Sequence, residues 1–259
     1  MNHLRVATYN IHKAKGLDRR TSPERIVSVL QELDADILCL QEVVDSPSRL
    51  LFDQAGSIAD AMPEYQVCFG ENRPLHGGRY GNMTLSRLPL KRWINHDITH
   101  RREERGVLQT DIELEGGHIL HVFNVHLGTG FMERRTQAAR LLGPKVLGQE
   151  ELTNPRLVVG DFNEWTRGLT TRLLRSTFQT FRPKHGMRFP RTYPGVFPFL
   201  SLDHYYYEPP LELVHARLVR SRTALVASDH LPLVAEFRMD GRRASIRAEE
   251  ALAASQRVA

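Results

Sequence analysis

Polar residues recur where apolar, strand-like runs end: Asn10 and His12, Gln41 and Glu42, His126, Asp161 and Asn163, Asp203 and His204, Asp229 and His230. A strand interior is buried and a loop is exposed, so the junction lets a rigid element hold a side chain at a cleft. Any one of these residues alone reads more readily as a turn cap or a surface acid. The repetition of the placement argues for a shared site. Carboxylates with Asn and no Cys suit a hard cation such as Mg²⁺, held by few protein oxygens and several waters. Histidines beside them suit proton transfer and stabilisation of a charged phosphoryl centre. Arg79 and Arg105 could neutralise phosphate oxygens.

The elements that must position these residues are legible from periodicity. Residues 4–11 alternate like a half-buried strand. Thr21-Ser22-Pro23-Glu24 offers a hydroxyl cap, a first-turn proline and an acid near the helix dipole, ahead of a helix over 22–33 with Ile26, Val27, Leu30 and Leu33 on one face. A strand is expected at 36–41 and a helix at 48–61. Strands follow at 65–69, 80–86, 90–97, 107–114 and 118–125, with Gly116-Gly117 as a hairpin turn. The span 133–151 is helical with a break at Gly143-Pro144. A strand at 156–160, a helix at 167–177, a proline- and aromatic-rich loop at 183–200 and strands at 201–207, 212–219 and 231–238 complete the pattern. No linker-like stretch interrupts it, so residues 1–240 form one domain, followed by a charged, alanine-rich tail over 241–259.

The pattern also echoes itself. One strand ends Asn10-Ile11-His12, and a second ends at Glu42, 32 residues after Asn10. A later strand ends Asn124-Val125-His126, and another runs into Asp161, 37 residues after Asn124. Each half reads strand, polar end, helix, strand, acid. Two such halves predict two sheets packed face to face with helices outside, and the polar strand ends converging at one edge.

Composition bounds the function. With 259 residues, 41% hydrophobic and 25% charged, the chain is globular, which excludes disordered, collagen-like and coiled-coil classes. No apolar run approaches the roughly 18 residues of a membrane span. The first ten residues carry no basic-then-apolar signal region, so a cytoplasmic protein is expected. Two cysteines, Cys39 and Cys68, are too few for a disulfide scaffold, and neither has the spaced partners of a zinc site. The net charge is +5, with 30 Arg against 5 Lys. GC-rich coding accounts for the arginines as readily as a phosphate-bearing partner does.

In order along the chain, the segments Thr8-Tyr9-Asn10-Ile11, Leu40-Gln41-Glu42-Val43, Tyr80-Gly81-Asn82-Met83-Thr84-Leu85-Ser86-Arg87, Glu104-Arg105-Gly106-Val107-Leu108, Asn124-Val125-His126-Leu127, Gly160-Asp161-Phe162-Asn163, Leu202-Asp203-His204 and Ser228-Asp229-His230-Leu231-Pro232 resemble the endonuclease/exonuclease/phosphatase superfamily. Each motif alone is weak. Leu-Gln-Glu, Gly-Asp-Phe-Asn and a late Ser-Asp-His in that order are specific, and they span nearly the whole chain. The resemblance implies an α/β fold, a four-layer αββα sandwich with two mixed β-sheets between helices.

It also implies roles. Glu42 resembles the main Mg²⁺ ligand, with Asn10 beside it and Asp229 near the metal; Mn²⁺ is an alternative ion. Asp161 and Asn163 resemble the pair that orients the attacking water and contacts phosphate. His230 resembles the histidine on the scissile phosphate, oriented by Asp203. His126 matches the deoxyribonuclease and sphingomyelinase branches rather than the abasic-site branch. Arg105 matches an arginine seen near the site in several members. His12 departs from the pattern and is assigned a core or supporting role. His204 is expected to point away from the face of Asp203.

The mechanism implied is in-line attack of water on phosphorus, without a covalent intermediate. A phosphodiester substrate is expected, with nuclease activity favoured by the basic balance. The runner-up is a phospholipid or small-molecule phosphodiesterase or phosphatase, favoured by Phe197 and Phe199 in the aromatic loop. That loop reads either as rings packed on the sandwich or as a wall facing substrate. A non-catalytic phosphate-binding module is a distant third, because the metal glutamate and the terminal histidine are both present. No obligate protein partner is indicated.

Overall fold

The computed structural model describes residues 3–46, 53–101, 103–152, 155–164, 168–181 and 190–239. The expected tail over 241–259 and the 183–189 part of the aromatic loop lie outside the described residues.

β1 (Leu4–Asn10) leads through a single 3-10 turn (His12–Ala14) to α1 (Pro23–Leu33). That helix starts as its sequence specifies: Ser22 Oγ accepts from the Arg25 amide at 3.3 Å and Pro23 occupies the first turn. Ile26, Val27, Val29, Leu30 and Leu33 are its buried face. Each such side chain contributes about 1.5–3 kcal/mol on burial. β2 (Ile37–Asp45) returns parallel to β1. α2 (Gln54–Ala61) follows, capped by Asp53, whose Oδ1 accepts from the Gly56 amide at 3.0 Å. The expected helix at 48–61 is therefore observed from Gln54, and its residues 48–52 lie outside the described segments.

β3 (Gln66–Leu75), β4 (Gly78–Ser86), β5 (Leu90–Asp97), β6 (Gly106–Glu113) and β7 (Ile119–His126) then form successive antiparallel pairs or edges. β3 runs past its expected end at 69 because its far half pairs with the start of β4 around the His76–Gly77 turn. Gly116 and Gly117 take φ +84° and +79°, the backbone a tight β6–β7 hairpin requires. α3 (Phe131–Leu142) stops at the Gly143-Pro144 break, and residues 145–151 form turns instead of more helix. β8 (Arg156–Asp161), α4 (Leu169–Arg175), β9 (Gln179–Thr180), β10 (Asp203–Tyr207), β11 (Leu211–Leu218), α5 (Ala224–Ala227) and β12 (Leu233–Met239) complete the chain. The short elements β9 and α5 have too few residues to show a period.

The strands form two six-stranded mixed sheets, ordered β11-β12-β1-β2-β4-β3 and β5-β6-β7-β8-β10-β9. The one parallel pair in each sheet is β1–β2 or β7–β8, flanked by antiparallel pairs. The two orders are the same pattern twice, which is the echo seen in the sequence. Three apolar clusters give the four layers. Val6, Ile37, Cys39, Val122, Leu157, Val159, Tyr205 and Phe237 fill the space between the sheets. Leu30, Leu33, Ile58 and Leu38 pack α1 and α2 on the first sheet, and Leu141, Leu174, Phe123 and Val158 pack α3 and α4 on the second.

Polar side chains tie the sheets together at one end. Asn124 lies fully buried on β7, and its Nδ2 donates to the carbonyls of Leu40 at 3.1 Å and Met83 at 3.0 Å on the opposite sheet. Gln41 Nε2 donates back to Asn124 Oδ1 at 2.8 Å. Asn82 Nδ2 crosses to the carbonyls of Gly106 and Asn124 at 3.2 and 3.1 Å.

Candidate active site

Beside that clamp, the strand ends of both sheets open on a cleft of ≈ 320 Å³ lined by Asn10, Glu42, Arg105, His126, Asp161, Asn163, Asp229 and His230, with Thr129, Tyr193, Leu200 and Leu202 at its walls. Asn10 and His126 end β1 and β7, the corresponding strands of the two sheets. Their parallel partners supply Glu42 and Asp161.

Glu42 reaches the cleft through a bulge. Ile37 and Cys39 face the other sheet, Leu38 and Leu40 face the helices, and the register with β4 slips between Leu40 and Val43. Glu42 takes φ 60° there, which lifts its carboxylate out of the alternation. Asn10 Nδ2 lies 3.4 Å from Glu42 Oε1 and 3.0 Å from Asp161 Oδ2, so one amide links the two acids. Lys13 Nζ donates to Glu42 Oε2 at 2.8 Å. Burial works against the charged carboxyl, but His126, Lys13 and His12 outweigh it and hold Glu42 down at about 2.

Asp161 ends β8 after Gly160, whose φ is +142°. A Cβ at Gly160 would meet the Val125 carbonyl oxygen at 2.0 Å, so only glycine lets β8 approach β7 there. Asp161 Oδ2 faces His126 Nε2 at 3.8 Å and His230 Nε2 at 3.7 Å, and its Oδ1 accepts from the Asn163 amide at 2.8 Å. Burial pushes the Asp161 carboxyl upward, against the pull of His230. Asn163 commits its side-chain Nδ2 to the Leu127 carbonyl at 2.9 Å, so the group it can offer a ligand is its amide oxygen, an acceptor.

His230 is gripped from behind. Its Nδ1 faces Asp203 Oδ2 at 3.0 Å, and the Tyr193 ring packs on it with centroids 5.1 Å apart. Burial opposes a charged ring, yet the carboxylates of Asp203 and Asp161 outweigh it and push His230 up to about 10. His126 is the opposite case: burial and Arg105 press it down to about 4 against the neighbouring acids. The cleft therefore holds one cationic and one neutral histidine on either side of Asp161. Two of its nitrogens, His126 Nδ1 and Arg105 Nε, are buried without a hydrogen-bond partner among the described residues.

The structure thus brings together Asn10, Glu42, Arg105, His126, Asp161, Asn163, Asp229 and His230, with Asp203 directly behind His230. Arg79 is a correction. Its position on β4 is directly across from Asp45 on β2, so it forms an ion pair with Asp45, lies over the Phe69 ring at 5.4 Å and does not line the cleft. His204 faces away from Asp203's side, packing on Phe162 and Tyr206. His12 does reach the site: its Nδ1 is 3.4 Å from Asp229 Oδ1.

Lys13 is the residue the sequence concealed. His12, Lys13 and Ala14 take consecutive left-handed conformations at φ 47°, 55° and 54°. Such residues cost about 1–3 kcal/mol each and cluster at functional sites. No glycine marks the turn, so nothing in the local sequence points to it.

Glu42 and Asp229 line the cleft with carboxylate oxygens and no sulfur, and Asn10 lies beside Glu42 with its Oδ1 on the His12 amide at 3.0 Å. Among the described residues no three His, Cys, Asp or Glu side chains enclose a metal by themselves. That donor set fits a hard cation bound by one or two carboxylates, water and substrate phosphate, as Mg²⁺ is.

A family model described as the Endonuclease/Exonuclease/phosphatase family matches residues 7–230. An Escherichia coli K12 protein, "Uncharacterized protein YbhP", is 32% identical over 252 residues, covering 91% of this chain and 96% of that one. A Beutenbergia cavernae endonuclease/exonuclease/phosphatase structure aligns with TM-score 0.73 at 20% identity, over 93% of this chain and 72% of that chain. The human Nocturnin catalytic domain with bound sulfate aligns with TM-score 0.71 at 22% identity, over 92% and 94% of the two chains.

Proposed function

Because the chain belongs to the endonuclease/exonuclease/phosphatase family, a family of phosphoester hydrolases, we propose that it hydrolyses a phosphodiester by direct attack of water, with Mg²⁺ as cofactor and Mn²⁺ as the alternative. The observation that carries this reading is the Asp161 centre. One carboxylate is hydrogen-bonded by Asn10 and Asn163 and flanked by His126 and a cationic His230.

Asp161 and the Asn163 amide oxygen are the acceptors that hold a water beside phosphorus, and Asp161 is placed to draw its proton. His230, kept protonated by Asp203, presents Nε2–H to a phosphate oxygen as negative charge builds. Arg105 supplies a fixed positive charge on the same cleft. Glu42, Asn10 and Asp229 are the residues that would hold the cation, which when bound supplies charge neutralisation at the phosphoryl group. Lys13 is the counter-charge of Glu42 when no cation is held there.

The arginine excess favours a nuclease, but Arg105 is the one arginine lining the cleft among the described residues. The reaction is therefore assigned to the phosphodiester bond as such, whether a nucleic acid or another molecule carries it. The test is hydrolysis of bis(p-nitrophenyl) phosphate, with and without EDTA. His230→Ala should cut kcat by roughly 10²–10³, the worth of one strong transition-state contact, with an unchanged circular dichroism spectrum. Near-full activity in that variant refutes the assignment. Plasmid nicking in the same preparations reports whether DNA is accepted.

A further inference from the structure

We propose that the rim of this cleft docks on an anionic lipid surface, and that the phosphodiester it hydrolyses is presented by a lipid headgroup there. The second clause rests on the phosphodiesterase reading above.

Five of the nine exposed large apolar side chains among the described residues stand beside the cleft: Phe131 at 62% exposure, Met132 at 56%, Val196 at 60%, Phe197 at 80% and Phe199 at 55%. Val196, Phe197 and Phe199 belong to a short loop between Tyr193 and Leu200, both cleft-lining residues. The base of the loop is closed by Tyr193 N to Leu200 O at 3.1 Å and Leu200 N to Tyr193 O at 2.8 Å. Gly195 N is tied to the Asp229 carbonyl at 2.7 Å, in the segment that carries His230. The loop is thus fastened to the catalytic segment while its apolar side chains face solvent. Thr129 also lines the cleft, and Phe131 and Met132 open α3 two and three residues later.

Exposed large apolar side chains gathered next to cleft-lining residues mark an interaction site. Charge narrows the partner. Arg191 leads into the loop and Arg135 follows Phe131 and Met132 by one helical turn; both are exposed. Arg105 lines the cleft, paired with Glu103 at 3.1 Å, and the whole chain carries +5. Apolar side chains interleaved with cations match the headgroup boundary of an anionic bilayer, where rings enter the acyl edge and arginines meet phosphates. A single-stranded nucleic acid fits less well. Val196 and Met132 offer no ring for a base, and one cleft-lining arginine makes no groove that tracks a backbone.

The experiment uses the full chain and sedimentation with sucrose-loaded vesicles, either phosphatidylcholine alone or a 1:1 mixture with phosphatidylglycerol. The wild type should bind the mixed vesicles at least tenfold better than the neutral ones. Phe197→Ser/Phe199→Ser should lose at least tenfold of that binding, while hydrolysing bis(p-nitrophenyl) phosphate at the wild-type rate. No vesicle binding by the wild type, or equal binding by the double variant, overturns the proposal. So does a double variant that loses affinity for a single-stranded oligonucleotide and keeps its affinity for vesicles. If vesicle binding behaves as expected but neither protein cleaves the soluble diester, the substrate clause falls with the phosphodiesterase reading, and the docking surface stands.

Discussion

Replacing Asn124 by Leu should destabilise the protein and misalign its site together. The Asn124 amide donates to two buried carbonyls, Leu40 at 3.1 Å and Met83 at 3.0 Å, and accepts from Gln41 at 2.8 Å. Leu fills a similar volume with no donor or acceptor. Gln41 Nε2 keeps Thr8 Oγ1 at 3.2 Å and the Cys39 carbonyl at 3.0 Å, so its loss is small. The two carbonyls are the larger effect, because an unsatisfied buried group costs about 1–3 kcal/mol. A total of about 3–4 kcal/mol follows from these bonds. At about 2–4 °C per kcal/mol for a domain of this size, the melting temperature should fall by roughly 10 °C. Thermal unfolding followed at 222 nm measures it. The same residue lies two positions before His126, and Gln41 lies next to Glu42, so kcat on a soluble diester should fall in the folded variant as well. A melting temperature within about 2 °C of wild type would show that the amide merely fills space, and would refute the claim that hydrogen bonds across the sheets set the cleft.

Two further predictions concern protons. Asp203→Asn removes the carboxylate that contributes most to raising His230, so the ring should titrate well below about 10. If His230 works as a cation, the basic limb of the pH–kcat profile should move down in that variant; an unmoved limb refutes the cationic role. On the second sheet, burial works to raise Asp111, but bonds from His121 at 2.6 Å and Gln109 at 3.0 Å outweigh it and lower its pKa. A depressed carboxyl stabilises the fold above its ordinary pKa near 4, and that contribution is lost as pH falls through the lower folded value. The gap in urea midpoint between wild type and Asp111→Asn should therefore narrow as pH falls below about 4. A gap independent of pH refutes the pairing.

What was legible in the sequence was what repeats. One-faced periodicity placed α1 and most strands, because burial on one side forces alternation or a 3.6-residue spacing. The echo of Asn10 and Glu42 in Asn124 and Asp161 carried the two-sheet arrangement, because both halves solve the same packing problem. The features left hidden depend on backbone conformations that no local composition announces. Glu42 reaches the cleft only through its bulge, and Lys13 only through a left-handed turn without glycine. Arg79 misled because residue type shows that an arginine can bind phosphate, while cross-strand register decides that it meets Asp45 instead. The aromatic loop allowed two readings because composition shows neither that Phe197 is exposed nor that the Tyr193 ring packs on His230.

The strand order has a consequence for how the chain could be cut and rejoined. β5 through β10 build the second sheet from one continuous stretch, while the first sheet takes β1–β4 from one side of it and β11–β12 from the other. Its two contributions meet edge to edge, with Leu4 of β1 opposite Phe237 of β12. A circular permutant that joins β12 to β1 through a flexible linker, and opens at the turn between β4 and β5, would encode each sheet as one uninterrupted block. Neither block would hold a site of its own, since Asn10 and Glu42 travel with one sheet and His126 and Asp161 with the other. Expressed as two polypeptides, the blocks would make hydrolysis a report on their meeting.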